Sequence, residues 1–184
     1  MSGLVGSLQP ASQGGRYDLG DLYQGGTIFY LNATKSGGYV ADLTALTFDF
    51  GGAGSGDPEP PGYLLNAFGS GESNFLWLAN NSKITSGFQA FGAVLAHTGG
   101  GYTDWFVPSK GELQVLIDLH IAGTLSIPNY GNSGADYFTS SDEDQPLVDN
   151  TFSQWESQDP VNWATRARSG EYGYAIPVRK FGNI

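Results

Sequence analysis

A loop-rich α+β domain of short strands with two to three short helices is the fold class this sequence predicts. Three observations point there. Glycine supplies 28 of the 184 residues, about twice its usual share, which favours turns over long helices. Strand-forming residues come in short runs bounded by glycine pairs, as at 27–31 and 39–43. Helical spacing is confined to short windows, most clearly after Ser109-Lys-Gly-Glu112, whose S-x-x-E order is that of a capping box.

Taken in order, residues 1–20 are rich in Gly, Ser and Gln with few apolar anchors, and read as a docking arm ahead of a domain over 21–184. Leu4, Val5 and Leu8 are its candidate assembly contacts. The segments 27–31 and 39–43 read as paired strands, with Ser36-Gly37-Gly38 as the hairpin turn. The stretch 50–62, dense in Gly and Pro, is a loop by composition. Short helices are expected at 75–79 and 88–97. In the second, Phe88, Phe91, Val94 and Leu95 mark one face, Ser86 caps the start and Gly99 stands where a C′ glycine would end it. The helix from Ser109 to about His120 follows Pro108, whose ring disfavours helix at the residue before it, and Leu113, Leu116 and Ile117 recur at helical spacing. Residues 121–136 form a polar connection and 137–140 a short strand. An acidic loop spans 142–150. Two strands, 163–168 and 174–181, then form a hairpin through the turn at 169–173.

Charge and composition exclude several functions. A net charge of −10, with 8 Lys+Arg against 18 Asp+Glu, cannot neutralise a phosphate backbone, so nucleic acid is not an expected partner. Anionic membranes and sulfated polysaccharides are disfavoured for the same reason. A sugar ligand would be neutral or weakly charged, or would be bridged by a cation. There is no Cys, so disulfides and thiolate chemistry are excluded. No apolar run is long enough to insert in a bilayer. The segment Met1–Leu8 lacks a basic n-region and an apolar h-region, so no signal peptide is expected.

No cofactor is expected with certainty, calcium being the one candidate. Asp142, Glu143, Asp144 and Asp149 cluster in one acidic loop, and hard oxygen ligands suit Ca²⁺, although the spacing is not that of an EF-hand. Asp57 and Glu59 form a second, looser acidic pair among prolines. His97 and His120 lack the spacing of a zinc site. There is no G-x-S-x-G, no Cys nucleophile and no phosphate loop, and the expectation is a protein without enzymatic activity. Paired carboxylates of the glycosidase kind depend on folded separation. For carbohydrate, Trp155, Tyr130, Tyr172 and Asn150 are the candidate ligand residues. They belong to a stretch where aromatic rings alternate with Asn, Asp, Gln and Ser, and sugar C–H faces stack on rings while amides and carboxylates take the hydroxyls. The same stretch holds Tyr137, Phe152, Trp163 and Tyr174. Trp105 and Trp163 are expected in the core. Arg166, Arg168, Arg179 and Lys180 are expected to make structural ion pairs, with the acidic loop as their candidate partner.

Four blocks add a resemblance. They are Tyr23-Gln-Gly-Gly-Thr-Ile-Phe-Tyr-Leu-Asn32, Gly100-Tyr-Thr-Asp-Trp-Phe-Val-Pro-Ser-Lys-Gly-Glu-Leu113, Tyr137-Phe-Thr-Ser-Ser-Asp142 and Tyr174-Ala-Ile-Pro-Val-Arg-Lys-Phe181. In this order they resemble the C-terminal domain family of Legionella collagen-like protein (Lcl-type), whose members often read YQGG-IIFYLD, GGYSDWFLPSKDEL, YWSSTE and VRAVRAF. The chain departs at Phe138 in place of Trp, at Gly111 in place of an acidic residue, and at Ile176-Pro177 in place of a Val-Arg step. The resemblance implies a compact C-type lectin-like fold, surface recognition, often of glycans, and no catalysis. By analogy with lectin-like receptor-binding modules, the expected setting is a phage virion or an extracellular surface. The arm would dock on other virion proteins and the loops would meet host surface carbohydrate. A homo-oligomer, plausibly a trimer, is implied by the same resemblance. The alternatives are a structural virion decoration subunit and a bacterial extracellular adhesin.

Overall fold

The structure is a computed structural model, and it describes residues 17–44, 46–50, 64–81, 89–130, 137–142, 153–157, 163–167 and 171–184. Strands β1 (Leu22–Tyr23), β2 (Gly26–Leu31), β3 (Gly37–Ala41) and β4 (Leu46–Phe50) come first. Helices α1 (Gly71–Asn81), α2 (Gln89–Leu95) and α3 (Lys110–Ile121) follow, with a 3-10 turn at Gly99–Gly101 between the last two. The chain closes with β5 (Tyr137–Asp142), β6 (Ser153–Ser157), β7 (Trp163–Ala167), β8 (Glu171–Ala175) and β9 (Val178–Gly182). The result is α+β, with one antiparallel sheet ordered β1-β2-β3-β9 and a second ordered β4-β8-β5-β6-β7. Among the described residues, no helix is long and apolar enough to cross a membrane.

The hairpin between β2 and β3 turns earlier than its glycines imply. Gly37 and Gly38 lie within β3, and the turn occupies 32–36. Asn32 organises it. Its Oδ1 accepts from the Ser36 N–H at 3.0 Å and the Thr34 hydroxyl at 3.1 Å, while its backbone carbonyl accepts from Lys35 N–H at 2.9 Å. An Asn that satisfies its own turn replaces the glycine expected there.

The expected C-terminal hairpin is also redrawn. β7 pairs with β6, and β8 pairs with β4 and β5. The apparent single strand 174–181 is broken at Ile176-Pro177, so β8 and β9 belong to different sheets. Proline has no N–H to give a ladder. Here its carbonyl accepts from Asp42 N–H at 2.8 Å, and Ile176 turns into the core at 1% exposure. Phe106 adds to the first sheet by exchanging backbone bonds with Val178 at 2.8 and 2.9 Å.

Helix α3 starts as the sequence predicts. The Ser109 hydroxyl accepts from Glu112 N–H, and the Glu112 carboxylate accepts from Ser109 N–H. Leu113, Leu116 and Ile117 are buried, on the face the spacing assigns. Helix α2 differs. It ends at Leu95, which is exposed, and Gly99 opens the 3-10 turn instead of capping the helix. The proposed Ser86 cap lies outside the described residues, as does the 50–62 loop beyond Phe50. The apolar core joins Ile28, Phe29, Tyr39 and Val40 of the first sheet to Phe75 and Leu78 of α1, Leu116 of α3 and Tyr137 of β5. Trp105 is in this core as expected, whereas Trp163 is only half-buried. The Tyr17 ring also packs near the first sheet, 4.8 Å from Tyr23 and 5.5 Å from Phe181.

Candidate functional site

The four sequence blocks converge in two polar knots, one internal and one at the surface. The internal knot centres on Glu112, which is fully buried. One carboxylate oxygen accepts from Ser109 N–H at 2.7 Å. The other accepts from Gly69 N–H at 3.1 Å and Gly71 N–H at 3.4 Å, at the start of α1. Burial pushes the Glu112 carboxyl above its ordinary range, against the pull of these hydrogen bonds. Ser140 and Ser141 of β5 join the knot. Ser140 N–H donates to the Pro108 carbonyl at 2.8 Å, Lys110 N–H donates to Ser141 Oγ at 2.9 Å, and Ser141 Oγ donates to the Leu65 carbonyl at 2.8 Å. Gly111 is explained by the same packing. Its N–H donates to the Asn66 carbonyl at 2.8 Å, and a Cβ there would stand 2.5 Å from Phe68 N, so the acidic residue of the resembled pattern has no room. This knot holds helices and strand together.

The surface knot centres on Arg179 of β9. Its guanidinium is 6% exposed, while the Asp104 carboxylate that it grips is 56% exposed. Nε donates to Asp104 Oδ1 at 2.8 Å and a terminal nitrogen donates to Oδ2 at 3.1 Å, a two-pronged grip. The other terminal nitrogen donates to Gln24 Oε1 at 2.9 Å. The Gln24 amide in turn donates to the Tyr23 hydroxyl at 3.1 Å. The guanidinium lies 3.8 Å from the Tyr102 ring centre and 5.9 Å from that of Trp105, within cation–π range. The turn carrying Gln24 meets the 3-10 turn backbone to backbone, since a Cβ on Gly25 would stand 2.6 Å from Gly100 Cα and both glycines have positive φ. That contact sets Gln24 beside Tyr102.

Electrostatics follow this geometry. The Arg179 hydrogen bonds hold the Asp104 carboxyl below its ordinary range. The Tyr23 hydroxyl is pushed up to about 12, first by its hydrogen bond with Tyr17 and then by burial. The patch therefore carries an ionised acceptor, the neutral Tyr23 phenol and a cation paired with Asp104 at ordinary pH. Arg179→Lys would keep the charge and lose the planar fork. It is expected to cost about 1–2 kcal/mol in a urea unfolding curve. Equal stability of the two proteins would show that the fork geometry contributes nothing.

Neighbouring groups are engaged elsewhere. His97 Nε2 lies 2.8 Å from Asp42 Oδ2, and its ring packs 5.1 Å from Trp105. His120 Nδ1 accepts from Ile127 N–H at 3.2 Å. His97 stands beyond the end of α2, not on a helix, and the two histidines have separate partners. Lys180 pairs with Glu72 at 2.7 Å. Arg179 and Lys180 thus pair with Asp104 and Glu72, while the acidic loop beyond Asp142 lies outside the described residues. A groove of about 590 Å³ lies between β2 and α3, lined mainly by apolar groups including Leu19, Phe29, Leu31, Val115 and Leu119. It shares no residue with the surface knot.

Of the residues expected to bind ligand, Tyr130 is half-buried, with ring centres 5.1 Å from His120 and 5.8 Å from Tyr137. Tyr137 is fully buried, and its hydroxyl donates to the Pro128 carbonyl. Trp155 lies in β6 opposite Thr165, and Tyr172 in β8 opposite Asp49. Asp142 ends β5 opposite Gln154. Asn150, Glu143, Asp144, Asp149, Asp57, Glu59, Phe152, Arg168, Leu4, Val5 and Leu8 lie outside the described residues. Among the described residues there is no group of three His, Cys, Asp or Glu that could hold a metal ion. Trp163 donates its indole N–H to Gln114 Oε1 at 2.8 Å, and the Lys110 ammonium lies 5.1 Å from its ring centre. The residues that sequence reasoning missed are Gln24, Tyr102 and Asp104. All three stand inside the resembled blocks, and those blocks were their only signal. No protein-family model matches the chain, and no curated protein matches it.

Proposed function

We propose that this chain is a non-enzymatic recognition module that binds surface carbohydrate, carried on a phage virion or an extracellular surface, with a C-type lectin-like fold of the Lcl type. The observation that carries the reading is the surface knot. Within one patch stand half-buried Tyr rings, the Gln24 amide and the exposed Asp104 carboxylate backed by Arg179. Rings for C–H faces and fixed polar groups for hydroxyls are what a sugar needs from a protein. The net charge of −10 turns the reading toward neutral sugars.

Binding of the purified chain to whole host cells and to isolated cell-envelope polysaccharides tests it. Saturable binding that free polysaccharide competes away is expected. A folded protein that binds no cell and no polysaccharide would leave the structural decoration subunit as the better account. The internal knot favours that second reading to one degree, because Glu112, Ser109, Ser140 and Ser141 serve the scaffold. Deleting residues 1–16 separates docking from recognition. It is expected to leave the melting curve and glycan binding intact while incorporation into the particle, or oligomerisation, is lost. A deletion product that still incorporates would remove the docking role from Leu4, Val5 and Leu8.

A further inference from the structure

We infer that Asp104 and Tyr102 contact the sugar directly, as a cation-independent subsite for neutral sugars with adjacent hydroxyls. The inference rests on the carbohydrate-binding reading and names the site and the ligand class within it.

Three features carry it. First, the Asp104 carboxylate is fixed and outward-facing. Arg179 takes one acceptor position on each oxygen, and an ionised carboxylate offers about four. Its own backbone N–H takes a further position, and with 56% of the side chain exposed acceptor capacity remains for neighbouring hydroxyl donors. A pre-set acceptor loses little freedom on binding. Second, the Tyr102 ring is half-buried and seated on the guanidinium at 3.8 Å, which fixes its plane beside the carboxylate. Third, the adjoining backbone leaves room. Gly101 has positive φ, is exposed, and a Cβ there would meet nothing within 4 Å. Thr103 next to it is exposed and offers a hydroxyl.

The same geometry argues against a bridging cation. A calcium site gathers six to eight oxygens, several of them carboxylate. Asp104 faces a guanidinium that already donates to both its oxygens, so a metal ion bound there would meet a like charge at close range. An anionic sugar gains little either, because the Arg179 charge is already matched by Asp104.

The test is a calorimetric titration of the full chain with glucose-, galactose-, mannose- and N-acetylglucosamine-terminated oligosaccharides and with heparin, each in calcium and in EDTA. Binding is expected to at least one neutral oligosaccharide, with equal affinity in EDTA, and not to heparin. Asp104→Asn and Tyr102→Leu, each checked by its melting curve, should weaken that binding by about tenfold or more. Amide resonances of the unmodified protein keep the question open to decision if a variant misfolds. Shifts on titration should centre on Gly100, Gly101, Tyr102, Thr103 and Gln24. Glycan binding that EDTA abolishes, that survives Asp104→Asn, or whose shifts lie elsewhere would overturn the subsite and leave the carbohydrate-binding reading standing. Absence of binding to every oligosaccharide would overturn both.

Discussion

Replacing Glu112 with alanine is expected to cost the fold about 4 kcal/mol, a large part of the 5–15 kcal/mol that ordinary domains possess. The carboxylate accepts from three backbone N–H groups, on Ser109, Gly69 and Gly71. Alanine orphans all three. A buried donor without an acceptor costs about 1–3 kcal/mol, and the contact at 3.4 Å to Gly71 counts at the low end. The lost side chain also leaves a void between α1 and α3. Against this stands the relief of a buried charge, whose cost is visible in the raised carboxyl. The relief is the smaller quantity, because the Ser109 and Gly71 contacts are buried and only that to Gly69 is part-buried. Urea unfolding decides the matter, and a loss below about 1 kcal/mol would show that water replaces the carboxylate.

The direction of the pH dependence follows from the same group. A carboxyl raised in the folded state binds its proton more tightly there than in the unfolded chain, whose ordinary value is 4.5. From 4.5 up to the raised folded value, the native state holds more protons, so this group's contribution to stability falls as pH rises. Asp104 runs the other way. Its carboxyl is lowered from 3.8, so its contribution is present above 3.8 and is lost as pH falls through the depressed folded value. Comparing Glu112→Gln with the unmodified protein across this range isolates the first effect.

What was legible in the chain was local. The start of α3 could be read because a capping box spans four residues and the apolar spacing behind it is short-range. The α+β class and the strand at β2 were legible for similar reasons. The sheet partition was not, because 174–181 reads as one strand and 169–173 as the turn before it, which hides the start of β8 at Glu171. Only the distant partners β4 and β3 reveal that Ile176-Pro177 crosses between sheets. β6 was hidden differently. Its residues, Ser153-Gln-Trp-Glu-Ser157, are mostly polar, and their pairing with β5 and β7 comes from the ladder and not from apolar alternation.

The candidate site was less legible than the fold. Asp104 lies 75 residues before Arg179 and Gln24 lies 155 before it, so no spacing rule brings them together. Sequence reasoning sought ligand residues where aromatics alternate with polar residues. That pattern equally marks half-buried strands and turns, and one of its residues, Tyr130, has its ring beside those of His120 and Tyr137. Asp104 looked like a helix lead-in, and Arg179 like a charge on a sheet face. The burial difference between these two partners is what distinguishes a held, outward carboxylate from an ordinary surface pair, and it exists only in the folded chain.

Gly38→Ala is expected to abolish cooperative folding near room temperature. A Cβ on Gly38 would stand 1.9 Å from the Tyr30 carbonyl oxygen and 3.1 Å from Leu31 Cα. These are backbone atoms of the paired strand, and no rotamer change relieves them. The cause is a slip in the ladder. Ile28 pairs with Val40 but Tyr30 pairs with Tyr39, so two residues of β2 oppose one of β3. Such a bulge bends its strand and re-aims the next carbonyl, here over position 38. β3 sits between β2 and β9 in the sheet, so it cannot retreat without breaking the pairing that carries Arg179. The loss should exceed about 4 kcal/mol, beyond the usual range for a single substitution. Gly101→Ala is the control. It has positive φ but open space, so only backbone strain of about 1–2 kcal/mol applies. A Gly38→Ala protein that melts within a few degrees of the Gly101→Ala protein would mean that β2 and β3 separate freely at the bulge, and the surface knot built on their neighbour would lose its rigid support.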